Sequence, residues 1–410
     1  MTISRRTLMS TATAATTLPL VGRARAQTKP TLKIGVLNDL SGPYMNTGGI
    51  TSVISARQAV AEFASAHGLN VEVISADHQN KPDLAVSICR QWFDRDGVDV
   101  LMDVPTSSVA LAVQSVVKEK NKVFLAVGPA TTALTGPQCT PNMITWVYDT
   151  YMLAKSTGGA MVKAGGDSWY FLTADYAFGK QLQADTTSFV KAAGGKVLGS
   201  APYPFPGTTD FSSFLVQAQS SGAKVLGLAN AGADTVNSIK QANEFGLNKS
   251  MHLAALLMFI TDVHALGLDT AKGLVLTESY YWDLNDGTRS FCNKIKIKSP
   301  NNWPNMIHAG CYSATLHYLK IAADMGAAEA KKDGAATVAR MKKMPVEDEC
   351  FGKTSIREDG RHLVPAYLFE VKTPAESKGA WDYFKLRATT PAEEAAKPLA
   401  DGSCPFIGKA

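Results

Sequence analysis

Short runs of consecutive apolar residues alternate with longer amphipathic stretches from residue 31 onward. "TLKIGVL" and "NVEVISAD" read as strands, and the stretch 52–66 between them has helical spacing. "PDLAVSICRQWFD" predicts a helix, "VDVLMDV" a strand, "SSVALAVQSVVKEK" a helix and "KVFLAVG" a strand. The stretch "TWVYDTYMLAKSTGGAMVKA" is helical from about Thr150, and after it the alternation starts again. "DSWYFLTAD", "KVLGSAPYPF", "AKVLGLAN" and "HLAALL" read as strands; "FGKQLQADTTSFVKAAG", "TDFSSFLVQAQSSG" and "DTVNSIKQANEFG" read as helices. Strands that are apolar throughout, alternating with amphipathic helices, imply parallel sheets covered on both faces.

Two such sheets fit better than one. "VDVLMDVPTSSVALAVQSVV" is echoed by "AKVLGLANAGADTVNSIKQA", each a strand, a few small polar residues and a helix, and "WVYDTYMLA" separates the two sets. After "GLVLTESYYWD" come two helices, "RSFCNKIKIK" and "MIHAGCYSATLHYLKIAADMG". The C-terminal stretch "TSIREDGRHLVPAYLFEVK…WDYFKLRATT" predicts an antiparallel pair or meander with an Asp359-Gly360 turn. The fold class expected is α/β with mainly parallel, doubly wound sheets.

The N-terminus changes how the rest is counted. Arg5 and Arg6, a weakly apolar stretch to Val21 and "ARA" ending at Ala26 have the form of a twin-arginine export signal over residues 1–26. Cleavage near Ala26 would leave a periplasmic chain starting at Gln27. Losing Arg5, Arg6, Arg23 and Arg25 takes the formal charge from +5 to +1, which removes the basic face that nucleic acid would require. No later apolar run has the length of a membrane span, so no direct membrane insertion is expected. Six cysteines (Cys89, Cys139, Cys292, Cys311, Cys350 and Cys404) suit an oxidising compartment. No C-x-x-C is present. "HAGC", His308 to Cys311, lacks a second pair at ligand spacing and reads as the packed start of a helix.

The signatures of common enzymes are missing: there is no G-x-S-x-G, H-E-x-x-H, Walker A or G-x-G-x-x-G. No catalytic residue, metal or cofactor is expected. Small polar residues recur instead at the carboxyl ends of strands. Thr106, Ser107 and Ser108 follow "LMDVP", and "GPATT" (128–132) follows "VFLAV". Ligands of open α/β sheets bind at this edge, and hydroxyls beside a helix N-terminus suit a carboxylate. The same residues would equally serve as plain helix caps. Aromatic residues also recur in loops: Tyr44 in "NDLSGPYMNTGG", Tyr148, Tyr151, Phe178 in "DYAFG", Tyr280, Tyr281 and Trp282. Such rings line an interlobe slot or pack a hinge.

The order "IGVLNDLSGPY", "PTSS", "GPATT", "DYAFGKQL" and "NAGADTVNSIKQANEFGL" resembles the branched-chain amino-acid type of ABC-transporter solute-binding protein. That resemblance implies two doubly wound lobes joined by three crossovers and closing around a ligand: about 31–146 with 278–352, and 147–277 with 353–410. It implies a small-molecule carboxylate as ligand and ABC permease membrane subunits as partners of a monomer. Carried over, the carboxylate would be held by Thr106, Ser107, Pro129, Ala130 and Thr131, with Tyr44 covering the ligand. Phe178 and Asn230 would face it from the other lobe, with Tyr151 and Tyr280 as further ligand-side aromatics.

One departure bears on the ligand. Where amino-acid binders of this type place an acid for the α-ammonium, this chain has Leu256, with Leu257 beside it. A buried ammonium without its carboxylate costs several kcal/mol, so an amine-free organic acid, aromatic above all, fits better. The alternatives are an amino acid reached by Asp175, Asp234 or Asp262, an exported α/β hydrolase, and a sensor module. Of the cysteines, Cys350–Cys404 is the pairing expected, tying a tail rich in Pro and Ala to the body; Cys292–Cys311 and Cys89–Cys139 are further options.

Overall fold

The computed structural model describes residues 30–407 of the 410-residue chain; the expected export signal at 1–26 lies outside them. The first lobe is wound from β1 (Thr31–Asn38), α1 (Gly49–Phe63), β2 (Asn70–Asp77), α2 (Pro82–Gln91), β3 (Val100–Asp103), α3 (Ser107–Glu119), β4 (Val123–Ala126) and β5 (Met143–Thr145). Its strands are all parallel, in the order β2-β1-β3-β4-β5. A bent helix, α4 (Thr150–Leu153) running through a wider turn into α5 (Gly159–Lys163), carries the chain to the second lobe. There β6 (Ser168–Ala174), α6 (Ala177–Ala192), β7 (Lys196–Tyr203), α7 (Ser212–Ser220), β8 (Val225–Ala229), α8 (Ala233–Glu244) and β9 (His252–Ala255) build a second parallel sheet, β7-β6-β8-β9.

The return runs through α9 (Ile260–Leu266), α10 (Leu268–Ala271) and β10 (Val275–Glu278) into α11 (Asp286–Lys296), α12 (Met306–Met325), α13 (Ala327–Lys332) and α14 (Gly334–Lys343). The C-terminal part forms β11 (Val346–Asp348), β12 (Gly352–Ile356), β13 (His362–Leu363), β14 (Ala366–Val371) and β15 (Phe384–Thr390). These strands are antiparallel, as expected, but split between two small sheets: β11-β12-β13 and β10-β14-β15. Gly360, at φ +87, makes the turn between β12 and β13, a conformation that suits glycine.

Burial explains the periodicities. All four residues of β3 and of β4 are buried, because α1 and α12 cover one face of the sheet while α2 and α3 cover the other. The helix α12 is apolar on almost every side and runs through the core, as a helix hydrophobic all round must. His308 is spent inside it: Nδ1 accepts from the amide of Asn305 at 3.1 Å, leaving Nε2 to donate to the carbonyl of Gly48 at 3.0 Å.

The cysteine expectation is corrected. Cys404 pairs with Cys139, with Cα atoms 5.6 Å apart, and Cys350 is a buried free thiol, as are Cys89, Cys292 and Cys311. The tail runs against the loop after β4: a Cβ on Gly136 would lie 2.7 Å from the carbonyl of Gly402. The spacing of cysteines along the chain carries no record of which loop the tail crosses.

Candidate functional site

Both parallel sheets reverse their winding beside their first strand, between β1 and β3 and between β6 and β8. The loops leaving these switch points are where such folds hold ligands, and here they meet across the interlobe cleft. The loop after β1 is shaped by Asp39, whose carboxylate accepts from the amides of Gly42 (2.7 Å) and Tyr44 (2.9 Å) and from Asn80 Nδ2 (2.7 Å). Gly42 must be glycine, since a Cβ there would stand 2.7 Å from both Asp39 oxygens. The carbonyl of Tyr44 collects the amides of Thr47 and Gly48, each at 3.1 Å. Thus fixed, the loop reaches the second lobe. Pro43 O accepts from Ala233 N at 3.0 Å, Tyr44 Oη meets Tyr176 Oη at 2.5 Å, and Phe205 stacks on both rings at 5.4 and 4.4 Å.

Beneath these contacts lies a narrow cavity, closed down to about 10 Å³ in this conformation. From the first lobe and its crossovers it is lined by Tyr44, Thr47, Pro105, Gly128, Tyr148 and Ile307. From the second it is lined by Tyr176, Phe178, Ala231, Leu257 and Phe259. No charged side chain is among them. Tyr148 Oη donates to Gly128 O at 2.6 Å, and its ring stands edge-on to Phe259 at 6.2 Å. Burial pushes the Tyr44 phenol well above its ordinary value, reinforced by Tyr176 and Asp234, so the hydroxyl stays protonated.

The profile of the periplasmic binding protein family matches residues 31–380. This chain belongs to that family. A periplasmic binding protein from Burkholderia mallei is 47% identical, with a TM-score of 0.88 over 92% of this chain and 99% of that one. A branched-chain amino-acid ABC transporter periplasmic ligand-binding protein from Burkholderia xenovorans is 35% identical, with a TM-score of 0.79 over the same shares. The Leu/Ile/Val-binding protein homolog 3 of Brucella melitensis is 25% identical over 300 residues, 71% of this chain and 78% of that protein. The protein is therefore an ABC-transporter substrate-binding protein of the branched-chain amino-acid type, whose family works with permease components. Among the described residues no helix is long and apolar enough to cross a membrane.

In this periplasmic binding protein the residues expected at the site fall into four groups. Tyr44 and Phe178 line the cavity. Thr106, Ser107, Pro129, Ala130 and Thr131 lie together at the ends of β3 and β4, adjoining Pro105 and Gly128, which reach it. Ser107 Oγ accepts from Thr131 N at 3.3 Å, Thr131 Oγ1 accepts from Ala133 N at 3.3 Å, and Thr106 Oγ1 donates to Asn80 Oδ1. Asn230 and Leu256 are buried beside lining residues, Ala231 and Leu257. Asn230 accepts from Thr235 Oγ1 at 2.7 Å.

Tyr151 and Tyr280 do not line the cavity. Tyr151 turns its ring edge-on to Phe189 of α6 at 5.2 Å. Tyr280 packs against Phe291 of α11 at 5.8 Å and donates to Thr288 O at 3.2 Å. Lining residues outside the expected set include Thr47, Pro105, Tyr176, Ala231, Phe259 and Ile307. Thr47, Pro105, Tyr176 and Ala231 lie in the loops that the sequence marked, Tyr176 as the other aromatic of "DYAFG", whereas Phe259 and Ile307 carried no signal.

None of the three acids considered for an ammonium faces the cavity. Asp175 pairs with Lys180 at 2.8 Å in an exposed position, Asp234 accepts from Tyr203 Oη at 2.8 Å, and Asp262 accepts from the amide of Phe259 at 3.0 Å. Beside Asp262, Glu278 accepts from Ile260 N at 3.0 Å and Met306 N at 3.1 Å, so one buried carboxyl joins the starts of α9 and α12. Burial raises Glu278 to about 8 and Asp262 to about 7.

The folded protein thus retains protons that the unfolded chain releases near pH 4. The resulting stability is complete below that pH and is lost as pH rises through 7 to 8. Buried histidines act in the opposite sense but lower down: His78 falls to about 4 and His308 to about 3. Between pH 6.5 and 8.5 stability is therefore expected to drop by about 1–3 kcal/mol, at up to roughly 1.4 kcal/mol per pH unit for each proton. Glu278→Gln should flatten the slope. Urea unfolding midpoints across the range check this, and stability that rises over it contradicts the assignment.

Proposed function

We propose that the cleft takes a small amine-free organic acid bearing a ring, and that the closed, loaded form is what the permease recognises. The observation that carries this reading is the cavity wall, which has five rings (Tyr44, Tyr148, Tyr176, Phe178, Phe259) and no charged side chain. An amino acid enclosed there would bring an ammonium without a carboxylate to pair it, at a cost of several kcal/mol. Leu257 stands in the wall, and Asp234 and Asp262 are committed to Tyr203 and Phe259. The ligand carboxylate belongs at the ends of β3 and β4. The oxygens of Ser107 and Thr131 accept amides there, while their hydroxyl protons have no acceptor among the described residues. The first amides of α3 add donors and a favourable dipole. Thr106, Pro129 and Ala130 hold this edge in place, and Asn230 and Leu256 support the facing wall.

The same fold holds 4-hydroxybenzoate in a Rhodopseudomonas palustris solute-binding protein. That structure is 20% identical, with a TM-score of 0.78 over 88% of this chain and 98% of that one, a likeness of fold alone. Thermal-shift measurements on protein purified from the periplasm, against benzoate, 4-hydroxybenzoate, leucine and valine, test the reading. The aromatic acids are expected to raise the melting temperature as their excess over Kd grows, and the amino acids to leave it unchanged. Stabilisation by leucine with none by any amine-free acid would overturn it.

A further inference from the structure

Two hydroxyl groups meet where the lobes close, and the protein uses only one of their two protons. Tyr44 Oη and Tyr176 Oη lie 2.5 Å apart, and both side chains line the cavity. A single hydrogen bond between two phenols consumes one proton and leaves the other, which has no acceptor among the described residues. The remaining hydroxyls of the wall are committed. Tyr148 donates to Gly128 O at 2.6 Å, and Thr47 donates to Tyr44 O at 3.1 Å. A buried donor without an acceptor is costly, so the pair presents an open demand for an oxygen in a wall that is otherwise apolar.

Charge decides which oxygen fits. Asp234, held by Tyr203, lies near enough for its charge to help keep both Tyr44 and Tyr176 protonated, after the larger effect of burial. A second negative charge beside the pair would be repelled, and the anionic end of the ligand already has its donors at Ser107 and Thr131. A neutral oxygen suffers no repulsion. A hydroxyl suits best, because it accepts the spare proton and returns its own to a tyrosine oxygen. Phe205, stacked on both rings, fixes where the pair stands.

We propose that Tyr44 and Tyr176 together read a hydroxyl on the end of the ligand remote from its carboxylate, making the preferred ligand a hydroxylated aromatic acid. This rests on the aromatic-acid reading above. The test is calorimetry with 4-hydroxybenzoate, 4-methylbenzoate and benzoate. The methyl compound matches the hydroxyl in size but offers no hydrogen bond. In the unaltered protein 4-hydroxybenzoate is expected to bind about tenfold or more tighter than 4-methylbenzoate. In Tyr176→Phe, which keeps the stack on Phe205, the ratio is expected to fall below about threefold. Because loss of the interlobe bond weakens closure on every ligand alike, the ratio and not the absolute affinity is the readout.

A ratio near one in the unaltered protein, with both acids bound, overturns this inference and leaves the aromatic-acid reading standing. A ratio that persists in both Tyr44→Phe and Tyr176→Phe overturns it as well. Binding of none of the three acids overturns both.

Discussion

Replacing Gly232 by alanine is expected to weaken ligand binding about 30- to 100-fold, which corresponds to roughly 2–3 kcal/mol. Gly232 precedes α8 in the second lobe, at φ 60 and ψ −135. A Cβ there would stand 2.5 Å from the carbonyl of Pro43 and 3.0 Å from the ring of Tyr44, both on the first lobe. The clash exists only when the lobes are closed, so it penalises the ligand-holding state and spares the open one. By linkage, any cost confined to the closed state reappears as lost affinity. The backbone angle adds a strain of about 1–3 kcal/mol to an L-residue in either state, and that part appears as lower stability. The two parts separate experimentally. Calorimetry with the acid that stabilises the protein most reads the first, and urea unfolding without ligand reads the second. An affinity within threefold of the original would mean that the lobes close without this contact.

The sheets were legible because apolar strands buried on both faces have no polar alternation to blur them: β1, β6 and β8 lie where the runs of Val, Ile, Leu and Phe place them. The exception is β5. It has three residues, Met143–Thr145, too few to show a period, and it exists as a strand because β4 on one side and Arg361 on the other give its backbone partners. At the site, aromatics in glycine- and proline-rich loops marked Tyr44 and Phe178. The same reasoning placed Tyr151 and Tyr280 there as well, although the first faces α6 and the second α11. A loop aromatic shows that the ring is not held by a strand. Which side it turns to depends on how the two lobes approach, as with Tyr176 and Phe259, and that is not written in any local stretch.

Arg361→Leu is expected to cost about 3–5 kcal/mol of stability, the usual penalty for leaving one partner of a buried ion pair alone. Arg361 is 1% exposed. Its Nε lies 3.1 Å from Asp149 Oδ2, and Nη2 donates to Val147 O at 3.3 Å. Asp149 is equally buried and caps α4 by accepting from Met152 N at 2.8 Å. It therefore stands at the start of the helix that carries the chain into the second lobe. Arg361 belongs to the turn between β12 and β13, which docks on β5 through Thr145 N and Gly360 O at 2.9 Å. Its neighbour Asp359 accepts from the Arg361 amide at 3.0 Å and pairs with Arg357 at 2.5 Å, so Asp359 keeps a partner when the guanidinium is lost and Asp149 does not. The double variant Asp149→Ser/Arg361→Leu should then recover much of the loss, since serine keeps a cap and carries no charge. Urea unfolding of the two single variants and the double completes the cycle. A single-variant loss under about 1 kcal/mol, the range of an exposed pair, would show that the charge of Asp149 finds other compensation and that the ion pair does not hold this crossover.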